Sequence, residues 1–250
     1  MEPSQSPHLE HALPNPRVRS PLSGFVLTAF AGAFGVLTLS AGLFGLEAEG
    51  VLGLAVGLGL YLVASLTSGI ALTRTYPHAV LGLCNIVTLV RLVIVATLAG
   101  ALVSTTSPAW AIFIVAAFAL TLDGVDGWLA RRQDLASSFG ARFDMEVDAA
   151  FALVLALHAA FGGVAGFWVL ALGLPHYLFV AANKIFPWLG GPLPERFSRK
   201  VVCVLQIGML IALQAPVLDA GLAGPLIAVA SLALIWSFAL DIIWLWRSRS

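Results

Sequence analysis

Charge is scarce in this chain: 13 Lys or Arg and 13 Asp or Glu are spread over 250 residues, and mean hydropathy is +0.96. Soluble domains devote about a quarter of their residues to charge. A charged fraction of 10% beside a hydrophobic fraction of 60% therefore excludes an ordinary soluble fold. Neither sign is in excess, which excludes a basic surface for nucleic acid; the lipid bilayer is the expected partner. Cysteine is nearly absent too. Cys84 and Cys203 stand alone in distant apolar segments, so they read as small buried hydrophobes rather than a disulfide or metal pair. Residues 1–20 lack the apolar stretch of a cleavable signal peptide and contain Pro3, Pro7, Pro14 and Pro16. They are expected to form a mobile cytosolic tail.

What is abundant is apolar sequence in span-length blocks. Crossing the hydrocarbon core takes about 20 such residues. Blocks of this kind run over 22–46, 51–73, 83–103, 109–131, 140–161, 166–183, 201–218 and 220–246. Glu47 and Glu49, the stretch Arg74 to His78, the turn Ser104 to Pro108, and Gly162-Gly163 separate them. The expectation is an all-α polytopic membrane protein with about eight transmembrane helices. Cytosolic loops of such proteins collect Lys and Arg. With both termini in the cytosol, twelve of the 13 Lys and Arg fall in cytosolic segments, and Arg91 lies in the cytosolic half of its helix. The opposite loops, near 47–50, 104–108, 162–166 and 216–222, contain none. An integral inner-membrane location with a cytosolic functional face follows as an expectation.

Against this scarcity, four aspartates gather at one place. The segment reads Asp123-Gly124-Val125-Asp126-Gly127-Trp128-Leu129-Ala130-Arg131, followed by Gly140, Asp144 and Asp148. Carboxylates at membrane depth are costly and mark functional sites. Asp123 and Asp126 share one helical face, and Gly140, Asp144 and Asp148 share another on the next helix. Small residues beside them, Gly127 and Ala130, let a ligand approach closely. Crowded carboxylates repel, and a divalent cation relieves the repulsion; oxygen-only donors suit Mg²⁺ or Mn²⁺. No Cys or His stands near, which argues against zinc. Two ions sharing carboxylates would serve displacement at phosphorus, with one carboxylate left to accept a proton. The plainer alternative is an ion-pair network with Arg131, Arg132 and Arg142 that only orients the loop. Arg142 and Glu146, four apart, are expected to pair locally.

The spaced pattern Asp-x-x-Asp-Gly-x-x-Ala-Arg, eight residues, Gly-x-x-x-Asp-x-x-x-Asp resembles the signature of the CDP-alcohol phosphotransferase (CDP-alcohol phosphatidyltransferase) family. The resemblance implies a six-helix membrane core, here 78–246, with residues 21–74 as an accessory N-terminal two-helix hairpin and 247–250 as a cytosolic tail. It implies transfer of a phosphoalcohol group from a CDP-alcohol donor to an alcohol acceptor, with release of CMP. It further implies that Asp123, Asp126, Asp144 and Asp148 hold metal, that Asp148 is the catalytic base, and that Gly127, Arg131 and Gly140 line the nucleotide site. The run Asn85-Ile86-Val87-Thr88-Leu89-Val90-Arg91 is similar to the family's Asn-x-x-Thr-x-x-Arg helix, which would bring Asn85, Thr88 and Arg91 to the same pocket; Cys84 replaces the usual preceding proline. A homodimer is implied on the same ground.

The small size and compact loops favour CDP-diacylglycerol as donor and a small polar alcohol as acceptor, with CDP-choline or CDP-ethanolamine and diacylglycerol as the alternative. Lys200 is an expected acceptor contact and keeps its spacing to Gln206. Val202 and Cys203 stand where a glycerol-phosphate enzyme would carry Lys and Thr. A different class, an ion or proton transporter, also places carboxylates in membranes, but near the midplane and within internal repeats, which are absent here. Asp241 is expected to pair with a cation of a neighbouring helix. His158 and His176 read as satisfied buried histidines. Gly32, Gly35, Gly53, Gly57 and Gly59 of the first two spans point to close helix packing.

Overall fold

The computed structural model describes residues 20–104, 108–133, 135–194, 196–218 and 220–248, and excludes the side chains of Glu49, Asp126, Ala130, Arg131 and Ala220. The expected N-terminal tail and the chain's last two residues lie outside this description. Among the described residues the secondary structure is entirely helical. The α-helices are α1 (Pro21–Phe44), α2 (Ala48–Thr75), α3 (Leu83–Ala101), α4 (Ala109–Gln133), α5 (Ser138–Phe161), α6 (Leu170–Gly173), α7 (Pro175–Ile185), α8 (Phe197–Ala212) and α9 (Ala220–Arg247). The protein is an all-α polytopic membrane protein.

Local chemistry sets the helix ends. Ser20 caps α1, its hydroxyl accepting from Ser23 N–H at 3.2 Å, with Pro21 in the first turn where its missing N–H costs nothing. Ser137 caps α5 in the same way, accepting from Gly140 N–H at 3.0 Å. The start of α3 lacks a side-chain cap of its own. Gln133, at the end of α4, supplies one from a distance: its Oε1 accepts from Leu83 N–H at 2.9 Å.

Among the described residues, five helices are each long and apolar enough to cross a membrane: α1, the Gly50–Thr75 part of α2, α3, the Ala109–Leu129 part of α4, and the Gly221–Arg247 part of α9. The other three expected spans depart from the simple pattern. α5 carries Arg142, Asp144, Glu146 and Asp148 in its first half. α8 has 16 residues, a length of about 24 Å at 1.5 Å per residue. The sixth span is not continuous. A 3₁₀ turn over Phe167–Val169 leads into α6, and the chain breaks at Leu174 because Pro175 has no N–H to continue the ladder.

Helix α3 is the centre. Fifteen of its 19 residues are buried, enclosed by α1, α2, α4 and α5. The hairpin α1–α2 reaches it backbone to backbone: a Cβ on Gly57 would stand 2.8 Å from Ala96 O, and one on Gly53 2.8 Å from Gly100 O. Gly32 lies against the Tyr61 hydroxyl and Gly35 against Val93, whereas Gly59 faces open space. The expected close packing thus holds at four of the five glycines. Tyr61 O–H donates to Ala29 O at 3.0 Å and ties α2 to α1, and Phe25 of α1 meets Phe143 of α5 edge-on. Outward-facing Phe30, Phe34, Leu66, Phe118, Val229 and Leu232 are exposed, a surface that only lipid or a further protein would cover.

Candidate active site

Three helices converge on the aspartates. Asp123 comes from the second half of α4, Asp144 and Asp148 from successive turns of α5, and Arg91 from α3. One carboxylate oxygen from each of Asp123, Asp144 and Asp148 lies within 4.8 Å of the others. The three side chains are about one-third exposed, whereas Arg91 is 2% exposed. Arg91 Nη1 lies 3.0 Å from Asp123 Oδ1 and donates to Asp144 Oδ1 at 2.5 Å, and Nη2 donates to Asp148 Oδ1. The backbone of Asp126 and Arg131 continues α4 beside the trio, but their side chains fall outside the described set.

Among the described residues, the cation inside the cluster is Arg91. Arg132 packs over the Trp128 ring at 4.9 Å, and Arg142 is exposed. Glu146, expected beside Arg142, has its Oε2 3.3 Å from His176 Nε2 instead. This replaces the expected local pair, because the neighbouring helix brings a closer partner. The signal for Arg91 was present in the sequence: one charge in an otherwise apolar span requires a counter-charge.

Asn85 and Thr88 lie on the same helix as Arg91, and both are buried. Thr88 O–H donates to Cys84 O at 3.0 Å. Asn85 Nδ2 has no hydrogen-bond partner among the described residues, and its Oδ1 lies against Gly140, where an added Cβ would come within 3.0 Å. Gly140 thus clears room for the Asn85 amide at the edge of the cluster. Gly127 is half-buried on α4.

A cavity of about 480 Å³ opens next to Asp148, between α5, α7, α8 and α9. Its polar lining is Asp148, His176, Arg199, Gln206, Ser237 and Asp241, with Cys203; the remaining wall is apolar. Arg199 grips the buried Asp241 in a fork, Nε to Oδ2 at 3.0 Å and Nη2 to Oδ1 at 2.8 Å, and Arg196 Nη2 donates to the same Oδ1. Asp241 is thus paired across helices as expected, by two arginines. Lys200 is exposed and is not among the residues that line this cavity. His158 is satisfied by Leu98 O at 2.8 Å.

The donor set fits a hard divalent cation: carboxylate oxygens only, close enough to share one ion. Fold and site define a class, a membrane-embedded helical protein with an acidic trio beside a cavity. Residues 81–243 match the family model described as CDP-alcohol phosphatidyltransferase, and the chain belongs to that family. It is accordingly a membrane transferase of phospholipid biosynthesis, acting on a CDP-alcohol and an alcohol within the membrane. No curated protein and no solved structure matches the chain.

Proposed function

We propose that this protein transfers the phosphatidyl group of CDP-diacylglycerol to a small polar alcohol, releasing CMP at the cytosolic face. The observation that carries the reading is the meeting of Asp123, Asp144 and Asp148 across α4 and α5, with Asp148 on the wall of a cavity large enough for an acceptor. Asp123, Asp126, Asp144 and Asp148 would hold Mg²⁺ or Mn²⁺, two ions being the expected number. The bound cation would offset the negative charge of the diphosphate.

The chain's own residues carry the remaining steps. Asn85, Thr88, Arg91, Gly127, Arg131 and Gly140 bind and orient the cytidine diphosphate moiety. The Asp148 carboxylate takes the proton of the acceptor hydroxyl as its oxygen bonds the lipid-bearing phosphorus. The bond from that phosphorus to the CMP oxygen breaks, and its electron pair leaves with CMP. On the acceptor side, Arg199 and His176 line the cavity, and Lys200 follows Arg199 in the first turn of α8 as an acceptor contact. The hairpin over 21–74 supports the catalytic helices of 78–246, and the protein works as a homodimer with both termini in the cytosol. The distribution of Lys and Arg supports that orientation.

The test is a donor and acceptor matrix with purified protein. CDP-diacylglycerol is offered with serine, glycerol 3-phosphate, inositol phosphates and other small alcohols, and CDP-choline and CDP-ethanolamine are offered with diacylglycerol. The reading expects CMP release and a new phospholipid from CDP-diacylglycerol. Turnover confined to the diacylglycerol arm would replace it with the opposite arrangement.

A further inference from the structure

Arg91 is the one Lys or Arg that is fully buried among the described residues. Its two terminal nitrogens end on Asp123, Asp144 and Asp148, the carboxylates best placed to share a divalent ion. Coordination at about 2.0–2.2 Å needs those same oxygens, and two cations in that space repel strongly. The guanidinium and a metal ion therefore compete for one set of ligands.

The rest of the helix limits where Arg91 can go. Fifteen of the 19 residues of α3 are buried, and Gly53, Gly57 and Gly100 hold its backbone against α2. Displacement is left to side-chain rotation within the pocket. A buried guanidinium without a counter-charge is strongly unfavourable, so metal binding alone strands Arg91. An anion with paired oxygens relieves it, since diphosphate matches the guanidinium fork. Asn85, six residues earlier on α3, presents a buried Nδ2 with no acceptor among the described residues, a second donor suited to the same polar ligand.

We propose that Arg91 is a built-in counter-cation that competes with divalent metal for the aspartate trio, and that the donor's diphosphate releases this competition by taking up the guanidinium. Metal and nucleoside diphosphate then bind with positive, reciprocal coupling. The inference rests on the proposed metal and CDP-alcohol site.

The experiment titrates Mn²⁺ into the full-length purified protein, following free Mn²⁺ by electron paramagnetic resonance, with and without saturating CDP. CDP lacks the lipid ester and supports no transfer. Arg91→Met should bind Mn²⁺ alone at least about tenfold more tightly than wild type, and the tightening that CDP produces in wild type should shrink by a similar factor. Direct chelation between CDP and Mn²⁺ contributes to both proteins, so the difference between them is the readout. Arg91→Gln, which keeps donors without charge, carries the same expectation if the methionine variant does not fold. Wild type binding Mn²⁺ with neither variant tighter overturns the competition and leaves the proposed function standing. Wild type whose Mn²⁺ affinity ignores CDP overturns the coupling even if no variant folds. Absence of Mn²⁺ binding to every protein, with or without CDP, overturns this inference and the metal site together.

Discussion

Asp148→Asn separates the base from the ligands. The substitution keeps the side-chain volume on the cavity wall and an oxygen that can accept from Arg91 Nη2, but removes the carboxylate that would take the acceptor's proton. General-base loss costs about 10²–10⁴ in rate, which at about 1.36 kcal/mol per decade is a barrier increase of about 3–5 kcal/mol. The metal effect should be smaller. Asp123 and Asp144 remain within 4.8 Å of each other, and the amide oxygen still offers a lone pair. The loss is then on the scale of one charge-assisted contact, about tenfold in Mn²⁺ affinity. The assays are steady-state CMP release and Mn²⁺ titration on the same preparation. Turnover falling by at least about one decade more than metal affinity supports the base role. Equal loss of both makes Asp148 chiefly a ligand, and unchanged turnover removes it from the chemistry altogether.

Three further outcomes are expected. Asp241→Ala strips two half-buried arginines of their shared partner; a cost of about 2 kcal/mol lowers the thermal unfolding midpoint by about 4–8 °C, measured by differential scanning fluorimetry, and no shift would mean the fork contributes nothing. Gly57→Leu collides with Ala96 O, whereas Gly59→Leu enters open space. The first should lose about 1–3 kcal/mol of stability and the second almost none, and equal effects would refute the backbone contact between α2 and α3. Gly140→Ala puts a methyl 3.0 Å from Asn85 Oδ1; steady-state kinetics should show the KM for the CDP-alcohol rising more than kcat falls, and a pure kcat effect would detach Asn85 from nucleotide binding.

The helices and the aspartate faces were legible because both are local periodicities. Asp144 and Asp148 stand four apart on α5, and the apolar blocks have the length that a bilayer demands. Pairings across long sequence distance were not legible. Arg91 joins aspartates 32 to 57 positions later, and Arg196 and Arg199 reach Asp241 over 45 and 42 positions; no spacing rule connects them. Asp241 announced a need for a partner without naming it. The break in the sixth span was readable at Pro175, since a proline inside an apolar run removes a backbone donor. The grip of the hairpin on α3 was half-legible: Gly53 and Gly57 signalled a close approach, but only the fold shows that Ala96 and Gly100 receive it.

The central claim is that the aspartate trio is a metal-dependent site for transfer from a CDP-alcohol. Its most direct test is CMP release by purified protein given CDP-diacylglycerol, the acceptor panel and Mn²⁺ or Mg²⁺, before and after chelation. The account predicts acceptor-dependent CMP release that a chelator abolishes and either ion restores. Release indifferent to chelation, or none with any donor and acceptor pair including CDP-choline and diacylglycerol, would contradict it.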